Sequence, residues 1–306
     1  MAIDFSKIKT YSLKQRKNKV SIKDFSSPDF LSKDFEKSLP NILASKDLKE
    51  VVKDIIKAKK NKKQVILMIG AHVIKTGLSL ILIELMKKKV ITHIAMNGAC
   101  CIHDFEIAFI GETSEDVAAN LEFGKFGMWE ETGKYMNEAV IEGAKNNIGY
   151  AESIIIQIER MNLKYKEYSI LYNAKKYGIT VTAHPAIGTE IIHQHPKCDG
   201  AATGKTSYQD FKLFTNTISE LEEGVIVNIG SSVIMPEIFV KSLAIVRNLG
   251  FKVESFTSAN FDMIHHYRPQ VNVVERPTLR GGKGYTIIGH HEIMLPLLAS
   301  MILKSI

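Results

Sequence analysis

Apolar positions in this chain come as short unbroken runs, separated by longer stretches in which they recur every three or four residues. Val65–Ile69 (VILMI) is one such run, closed by Gly70. A strand covered on both faces by helices needs that composition. The spacing then predicts a helix over residues 78–89, ending in three lysines, and a second strand over VITHIAM, residues 90–96. The end of that strand delivers Asn97, Gly98, Ala99, Cys100, Cys101, His103, Asp104 and Glu106 in quick succession.

Upstream, residues 1–44, with Pro28, Pro40 and the polar SSPDFLSKDFEKS segment, predict an irregular arm laid on the body or on a neighbouring subunit. From Ser45, the expected N-cap, Leu48, Val51, Val52, Ile55 and Ile56 follow helical spacing up to KKNKK. Residues 113–175 read mostly as helices, broken at Gly124, Gly127, Gly133, Gly143 and Gly149. GITVTA predicts a third strand ending in HPAIGTEIIHQHP, and residues 207–223 an amphipathic helix. GVIVNIG predicts a fourth strand with a helix from Pro236 to about Asn248 behind it, and FKVESFT a fifth that ends in SANFD. A long loop over 263–284, a last strand YTIIG and a closing helix HHEIMLPLLASMIL complete the chain. Strands alternating with helices predict one α/β domain over residues 45–306, a mostly parallel sheet flanked by helices, behind the arm of residues 1–44. Ligands of such sheets bind beyond the carboxyl ends of the strands, so strand-end residues are the candidates for chemistry.

Composition narrows the setting. Of 306 residues, 45% are hydrophobic and 24% charged, as in globular proteins. The net charge of +7 is unevenly placed: residues 1–63 hold 17 Lys and Arg against 8 Asp and Glu, and the remainder 23 against 25. The excess belongs to the arm, and without aromatic interleaving or a nucleic-acid motif it reads as a solvated surface rather than a nucleic-acid site. No apolar run approaches ~18 residues, so no membrane span is predicted. Residues 1–17 lack the apolar core of a secretory signal. Three cysteines, two of them adjacent, make no disulfide framework and point to a reducing, cytoplasmic setting.

Small and hydroxylic residues mark the strand ends at 70–72, 97–106, 184–190, 230–237, 257–262 and 289–292. Near a helix start they free backbone N–H groups for phosphate oxygens, as a dinucleotide requires. Yet G-x-G-x-x-G and G-x-x-x-x-G-K-[ST] are both absent, and TGKTS (residues 203–207) has only the tail of the latter. Ten histidines include the His193/His195 HxH and the pairs 265–266 and 290–291, but no HExxH. They suit substrate hydrogen bonds or acid–base work as readily as a metal, and no metal is assigned. Cys100 and Cys101 fit small side chains where the backbone nears a ligand, because adjacent cysteines bridge only with strain. Asp104, Glu106, Glu237, Asp262 and Glu292 either cap helix starts or converge into an acidic pocket for a cationic amine. Lys283, between glycines in RGGKGYT, is either a solvated loop lysine or an amine free to attack an imine.

From Val65 to the C-terminus the chain resembles the deoxyhypusine synthase family, in several segments. IGAHVIKTGLSLILIELMKKKVITHIAMNGACCIHDFEIA parallels the family's turn, helix and strand before a Thr-Ala-Gly-Gly-type loop. GVIVNIGSSVIMPEIF parallels its Leu-Gly-Gly-Gly segment, and RPTLRGGKGY its Arg-Pro…Gly-Lys segment, which sets Lys283 on the family's covalent lysine. HHEIMLPLLASMIL parallels its closing helix. The resemblance implies a Rossmann-like sheet, bound NAD, and oxidation of an amine such as spermidine to an imine. The aminobutyl group would then pass through the lysine to a protein or small-molecule amine acceptor, in a homotetramer with sites at subunit interfaces. By resemblance Asn97, Gly98, Ala99, Gly230, Ser231, Ser232, Thr257, Ala259 and His290 would line NAD, with Gly70, His72 and His291 at the neighbouring strand ends. His103 and Asp104 fall where the family uses paired glutamates near its amine, and Glu237 at its catalytic histidine. Departures concentrate in the substrate-reading parts: His290–His291 replaces Asp-Ala, MIHHYRPQVNVV replaces a Gly-Ser-Asp-Ser loop, and the first turn is shorter. NGACCIHDFE is also similar to the Asn-Ala…His-Asp-x-Glu loop of the NAD-dependent ornithine cyclodeaminase family, which implies an amino-acid substrate. The alternatives are therefore an amino-acid deaminase or cyclodeaminase, or a non-catalytic NAD- or polyamine-binding protein.

Overall fold

A computed structural model describes residues 4–24 and 39–306. The SSPDFLSKDFEKS segment of the expected arm lies outside the described residues. The strands are β1 (Asn18–Ser21), β2 (Val65–Ile69), β3 (His93–Asn97), β4 (Glu112–Glu115), β5 (Thr180–His184), β6 (Val225–Ile229), β7 (Thr257–Asp262) and β8 (Lys283–Ile288). The helices are α1 (Leu43–Lys60), α2 (His72–Lys75), α3 (Ser79–Lys87), α4 (Gly98–Ile110), α5 (Val117–Leu121), α6 (Glu130–Lys145), α7 (Tyr150–Arg160), α8 (Ile170–Lys176), α9 (Gly200–Ser219), α10 (Ile234–Asn248), α11 (Tyr267–Pro269) and α12 (His291–Lys304).

Six strands form a parallel sheet in the order β5-β3-β2-β6-β7-β8. The first of them, β2, lies inside the sheet; β3 and β5 step away on one side, and α9 carries the chain back so that β6 pairs β2 on the other. This is the doubly wound order, and its reversal between β2 and β6 defines a switch point at their carboxyl ends. Successive strand residues face opposite layers. Val65, Leu67 and Ile69 pack with α1, α3, α4, α7 and α12. Ile66, Met68, Ala95 and Ile226 meet Phe214 of α9, Phe239 of α10 and Val273. Each such Val, Leu, Ile, Met or Phe side chain, fully buried, contributes about 1.5–3 kcal/mol, which makes burial on both faces the reason for the unbroken apolar runs.

The expected α/β class, parallel sheet and helical flanks are present. Several boundaries move. The fifth strand is TSANFD rather than FKVESFT, with all six residues buried. The last begins at Lys283, and the preceding stretch carries α11, a π-helical segment over Gln270–Glu275 and a 3-10 turn over Arg276–Thr278. Asp199 caps α9 by accepting from Ala201 and Ala202 N–H, so TGKTS lies inside that helix and not on a phosphate loop. Ile42, not Ser45, precedes α1. The described part of the arm is ordered too: β1 pairs antiparallel with β4, inside the stretch read as helical.

Candidate functional site

At the switch point the backbone itself comes closest. Gly70 N–H donates to the Ile229 carbonyl at 2.9 Å, and Gly230 N–H to Phe261 at 3.0 Å. A Cβ on Gly70 would overlap the Gly230 carbonyl, and Gly230 turns through φ +67°, so side chains are excluded at both positions. Over this floor stands His291, first residue of α12 and 1% exposed. Its Nε2 is so near that a Cβ on Gly230 would lie 2.6 Å away. His72 meets the His291 ring edge-on, with centroids 6.0 Å apart. Ser231 Oγ accepts from Met235 N–H at 3.2 Å and orders the entry to α10. Asp262 closes β7 beside it: Oδ1 accepts from Met263 N–H at 2.8 Å, while buried Oδ2 has no hydrogen-bond partner. Burial pushes the His291 imidazole below its ordinary pKa, against the pull of Asp262.

On the strand next to β2, Asn97 caps α4 by accepting from Cys100 N–H at 3.1 Å. The carboxylate of Glu190, 7% exposed, sits over Gly98 and accepts from Ala186 N–H at 3.0 Å. Burial raises its pKa to about 7. His193 Nε2 approaches Glu190 Oε2 at 3.5 Å, and His195 Nε2 approaches Glu130 at the same distance. His193 Nδ1 accepts from Gly188 N–H, which leaves the neutral ring's proton on Nε2, facing Glu190. Next to this loop, a cleft of about 520 Å³ opens between α9 and α10, walled by Ile187, Tyr208, Phe211, Ile234 and Ile238, with Glu237 and Lys241 also lining it.

The structure separates the expected site residues into two groups. Gly70, His72, Asn97, Gly98, Ala99, Gly230, Ser231, Ser232, His290 and His291 lie along or just beyond the carboxyl edge of the sheet. Thr257 and Ala259 do not: Thr257 begins β7 at the opposite edge, where it donates to Asp54, and Ala259 is a fully buried mid-strand residue. Lys283 also begins its strand, in register with Thr257, and its ammonium donates to both oxygens of Asp54 at 2.8 and 2.9 Å. That hydrogen bonding raises its pKa, so within one protomer it is a paired ammonium at the amino edge. His103 and Asp104 belong to the interior of α4, not to a strand-end loop. Asp104 accepts from Ser169 Oγ and from Ile170 and Leu171 N–H, holding the start of α8; burial raises its pKa to about 6. His103 contacts Thr113, and burial lowers its pKa to about 4. Glu106 is bidentate to Arg16 of the arm, at 3.0 and 2.8 Å. Glu237 is bound by Lys241, and Asn272 donates to it at 2.9 Å; the Lys241 hydrogen bond lowers its pKa. The acidic pocket therefore does not assemble. Cys100 and Cys101 are buried, and burial drives both thiols up. Among the described residues, no three His, Cys, Asp or Glu side chains stand together in a metal-holding arrangement. No described helix is long and apolar enough to cross a membrane.

Unmet polar groups mark the edge where chemistry belongs. Among the described residues, eleven buried side-chain atoms lack a partner; those of His184, Glu190, His193, Gln194, His195, Asn228 and Asp262 lie on β5, β6 and β7 or in the segment after β5, and that of His291 at the start of α12. Leaving a buried polar atom unpaired costs about 1–3 kcal/mol, and native proteins keep few of them. In the sequence Glu190 shows as the close of a strand-end stretch and His193 as half of the HxH; their mutual approach is set by folding.

No family model and no curated protein matches this sequence. Solved structures share its fold. AgrE in its ternary complex with ornithine and NAD+ superposes with a TM-score of 0.55 at 12% identity, over 86% of this chain and 33% of AgrE. A provisionally assigned deoxyhypusine synthase from Entamoeba histolytica gives 0.51 at 12% identity, over 85% of this chain and 88% of that one. A conserved protein of Methanococcus maripaludis S2, provisionally assigned as LOR/SDH, gives 0.50 at 15% identity, over 97% and 74%. The chain thus spans about a third of the length of AgrE. At these identities the likeness is one of fold.

Proposed function

We propose that this chain is an NAD-dependent enzyme that removes hydride from a carbon bearing an amine and so forms an imine. The observation that carries the reading is the switch point: two strand-end glycines in backbone contact, between β2 and β6 of a doubly wound sheet, below unmet histidine and carboxylate groups. Those residues fit a dinucleotide, because a backbone without side chains can approach a pyrophosphate and the flanking polar groups can fix the rings. Bound NAD would supply the hydride acceptor. Gly70 and Gly230 would give the close approach, Ser231, Ser232 and His72 would border the cofactor, and the apolar cleft beside α10 would keep water from part of the edge. AgrE, solved as a ternary complex with ornithine and NAD+, shares this fold over about a third of its length, which supports an amine substrate and makes ornithine the first to test.

Two fates of the imine follow. In the first it is released or closes on an internal amine, as in a deaminase or cyclodeaminase. In the second, Lys283 attacks the spermidine imine carbon, the rest of spermidine leaves as a diamine, the alkyl group passes on to an acceptor amine, and the hydride returns to the imine so formed. Pairing of Lys283 with Asp54 at the amino edge favours the first within one protomer. The second needs a homo-oligomer in which Lys283 serves a neighbour's crevice. Calorimetric titration with NAD, NADH absorbance with ornithine or spermidine, and intact mass after borohydride trapping test the reading together. NAD binding with NADH formation from either amine is expected. Absence of binding, or binding without turnover of any amine, overturns it. A mass gain mapped to Lys283 selects transfer, and free ammonia selects deamination.

A further inference from the structure

The proposed oxidation leaves one proton to be placed. As the C–H pair departs as hydride, an N–H bond of the neutral amine breaks, its electrons become the C=N π bond, and the proton needs an acceptor beside the cofactor. Resting on that reading, we propose that His291 is this acceptor, through Nε2, and that Asp262 is the positioning residue that holds the resulting charge.

Geometry singles the pair out. His291 Nε2 lies against Gly230 at the switch point, and Nδ1 is buried without a partner. Asp262 ends the neighbouring strand with Oδ2 buried and unpartnered, and Gly289 N–H donates to its backbone carbonyl at 2.9 Å, tying β7 to the turn before His291. A carboxylate and an imidazole, each left incomplete, therefore flank the floor of the crevice. Other charged or titratable groups close by are Glu292 on α12, His290 just before it, His72 on α2, and His266, whose Nε2 is 4.0 Å from Asp262 Oδ2. Burial keeps the imidazole neutral at rest, while Asp262 and Glu292 favour its charged form and His72 and His290 oppose it. A base that must accept and then release a proton needs that balance. Glu237, the position suggested by resemblance, is instead tied to Lys241 and Asn272.

The test uses the full chain with histidine-selective 15N labelling, and His291→Gln assigns the signal. Free protein at pH 7 is expected to show neutral His291 with its proton on Nδ1, and NAD to shift that signal. Asp262→Asn should lower the His291 pKa. With the amine that wild type oxidises, ornithine or spermidine, His291→Gln should lower kcat ~100-fold or more. Asp262→Asn should move the rise of the pH–rate profile to lower pH, a change that a purely structural role does not produce. NAD binding that leaves the His291 signal unmoved, or full turnover in His291→Gln, overturns the inference alone. If wild type binds no NAD or oxidises no amine, the functional reading falls and takes the inference with it.

Discussion

The pair that fastens the arm to the body gives the sharpest energetic prediction. Arg16 and Glu106 are 6% and 0% exposed, and joined by two charge-assisted hydrogen bonds of 3.0 and 2.8 Å. Thr113 and Thr132 hydroxyls donate to the same carboxylate, and the guanidinium lies 5.6 Å from the Trp129 ring centroid. Burial alone would raise the Glu106 pKa, but the charge and hydrogen bonds of Arg16 overcome this and hold it below the ordinary value. A carboxylate depressed in the folded state stabilises above its unfolded pKa, and that contribution is lost as pH falls through the folded one. Arg16→Ala reverses the sign: burial then dominates, the carboxyl prefers its proton, and its ionisation opposes folding as pH rises. Removing one partner of a buried pair costs about 3–5 kcal/mol. Urea denaturation of wild type and variant from pH 4 to 8 should show a loss of that size at pH 7 and a smaller one at pH 4. Arg16→Met with Glu106→Met should recover most of it, since replacing both partners by apolar groups of similar volume is often neutral. A pH-independent loss, or one below about 1 kcal/mol, would refute the argument.

Gly70→Ala puts a methyl group into the Gly230 carbonyl, so NAD affinity should fall ~10-fold or more with a stability loss of about 1–3 kcal/mol; calorimetry and thermal melts measure both, and unchanged binding would move the cofactor elsewhere. Asp210 accepts from Ala151 and Ala183 N–H, and burial raises its pKa to about 7. Its protonated form favours folding, and that contribution, present below the unfolded pKa, is lost as pH rises toward 7; Asp210→Asn should flatten the stability curve between pH 4 and 8 by up to ~4 kcal/mol, as read by denaturant titration. Lys283→Ala removes an ion pair with half-exposed geometry on the lysine side and should cost about 1 kcal/mol without altering the Kd for NAD; loss of cofactor binding would return Lys283 to the site.

How much the sequence disclosed depended on whether each element's reason for existing is local. VILMI and GVIVNIG are strands because both faces are buried, and an unbroken apolar run is the direct trace of that. TSANFD is equally buried but polar, so its pattern conceals it. Its polar side chains are answered by distant atoms: Ser258 Oγ donates to the Val273 carbonyl, and Asn228 donates to Asn260 Oδ1 on the paired strand. Residues 97–106 read as a chemistry-bearing strand end because their charges look available, whereas Gly98–Ile110 is helix. Asp104 is used by amides 66 and 67 residues away, and Glu106 by an arginine 90 away. Lys283 likewise draws its role from Asp54, 229 residues earlier. Strand-end glycines remained informative because a tight backbone approach leaves the same mark wherever its partner lies.

That contrast gives a physical rule for this molecule's polar interior. Asp104, Glu106 and Asp210 are buried and answered, and each ties together segments distant in sequence: α4 to α8, the arm to α4, and α7 with β5 to α9. For Glu106 the charge and hydrogen bonds of Arg16 outweigh burial, and for Asp104 and Asp210, whose pKa burial still raises, the amides they bind account for their place, so they need no ligand to explain them. Glu190, His193, Asp262 and His291 are buried and incomplete, and all follow or end strands at one edge of the sheet. Stability alone would favour apolar residues there, because an unpaired buried group is a net loss to folding. The unpaired groups of Asp262 and His291 lie beside the topological switch point, and those of Glu190 and His193 lie two strands along the same edge, after β5, so the unpaired groups gather on the edge where the proposed cofactor would sit.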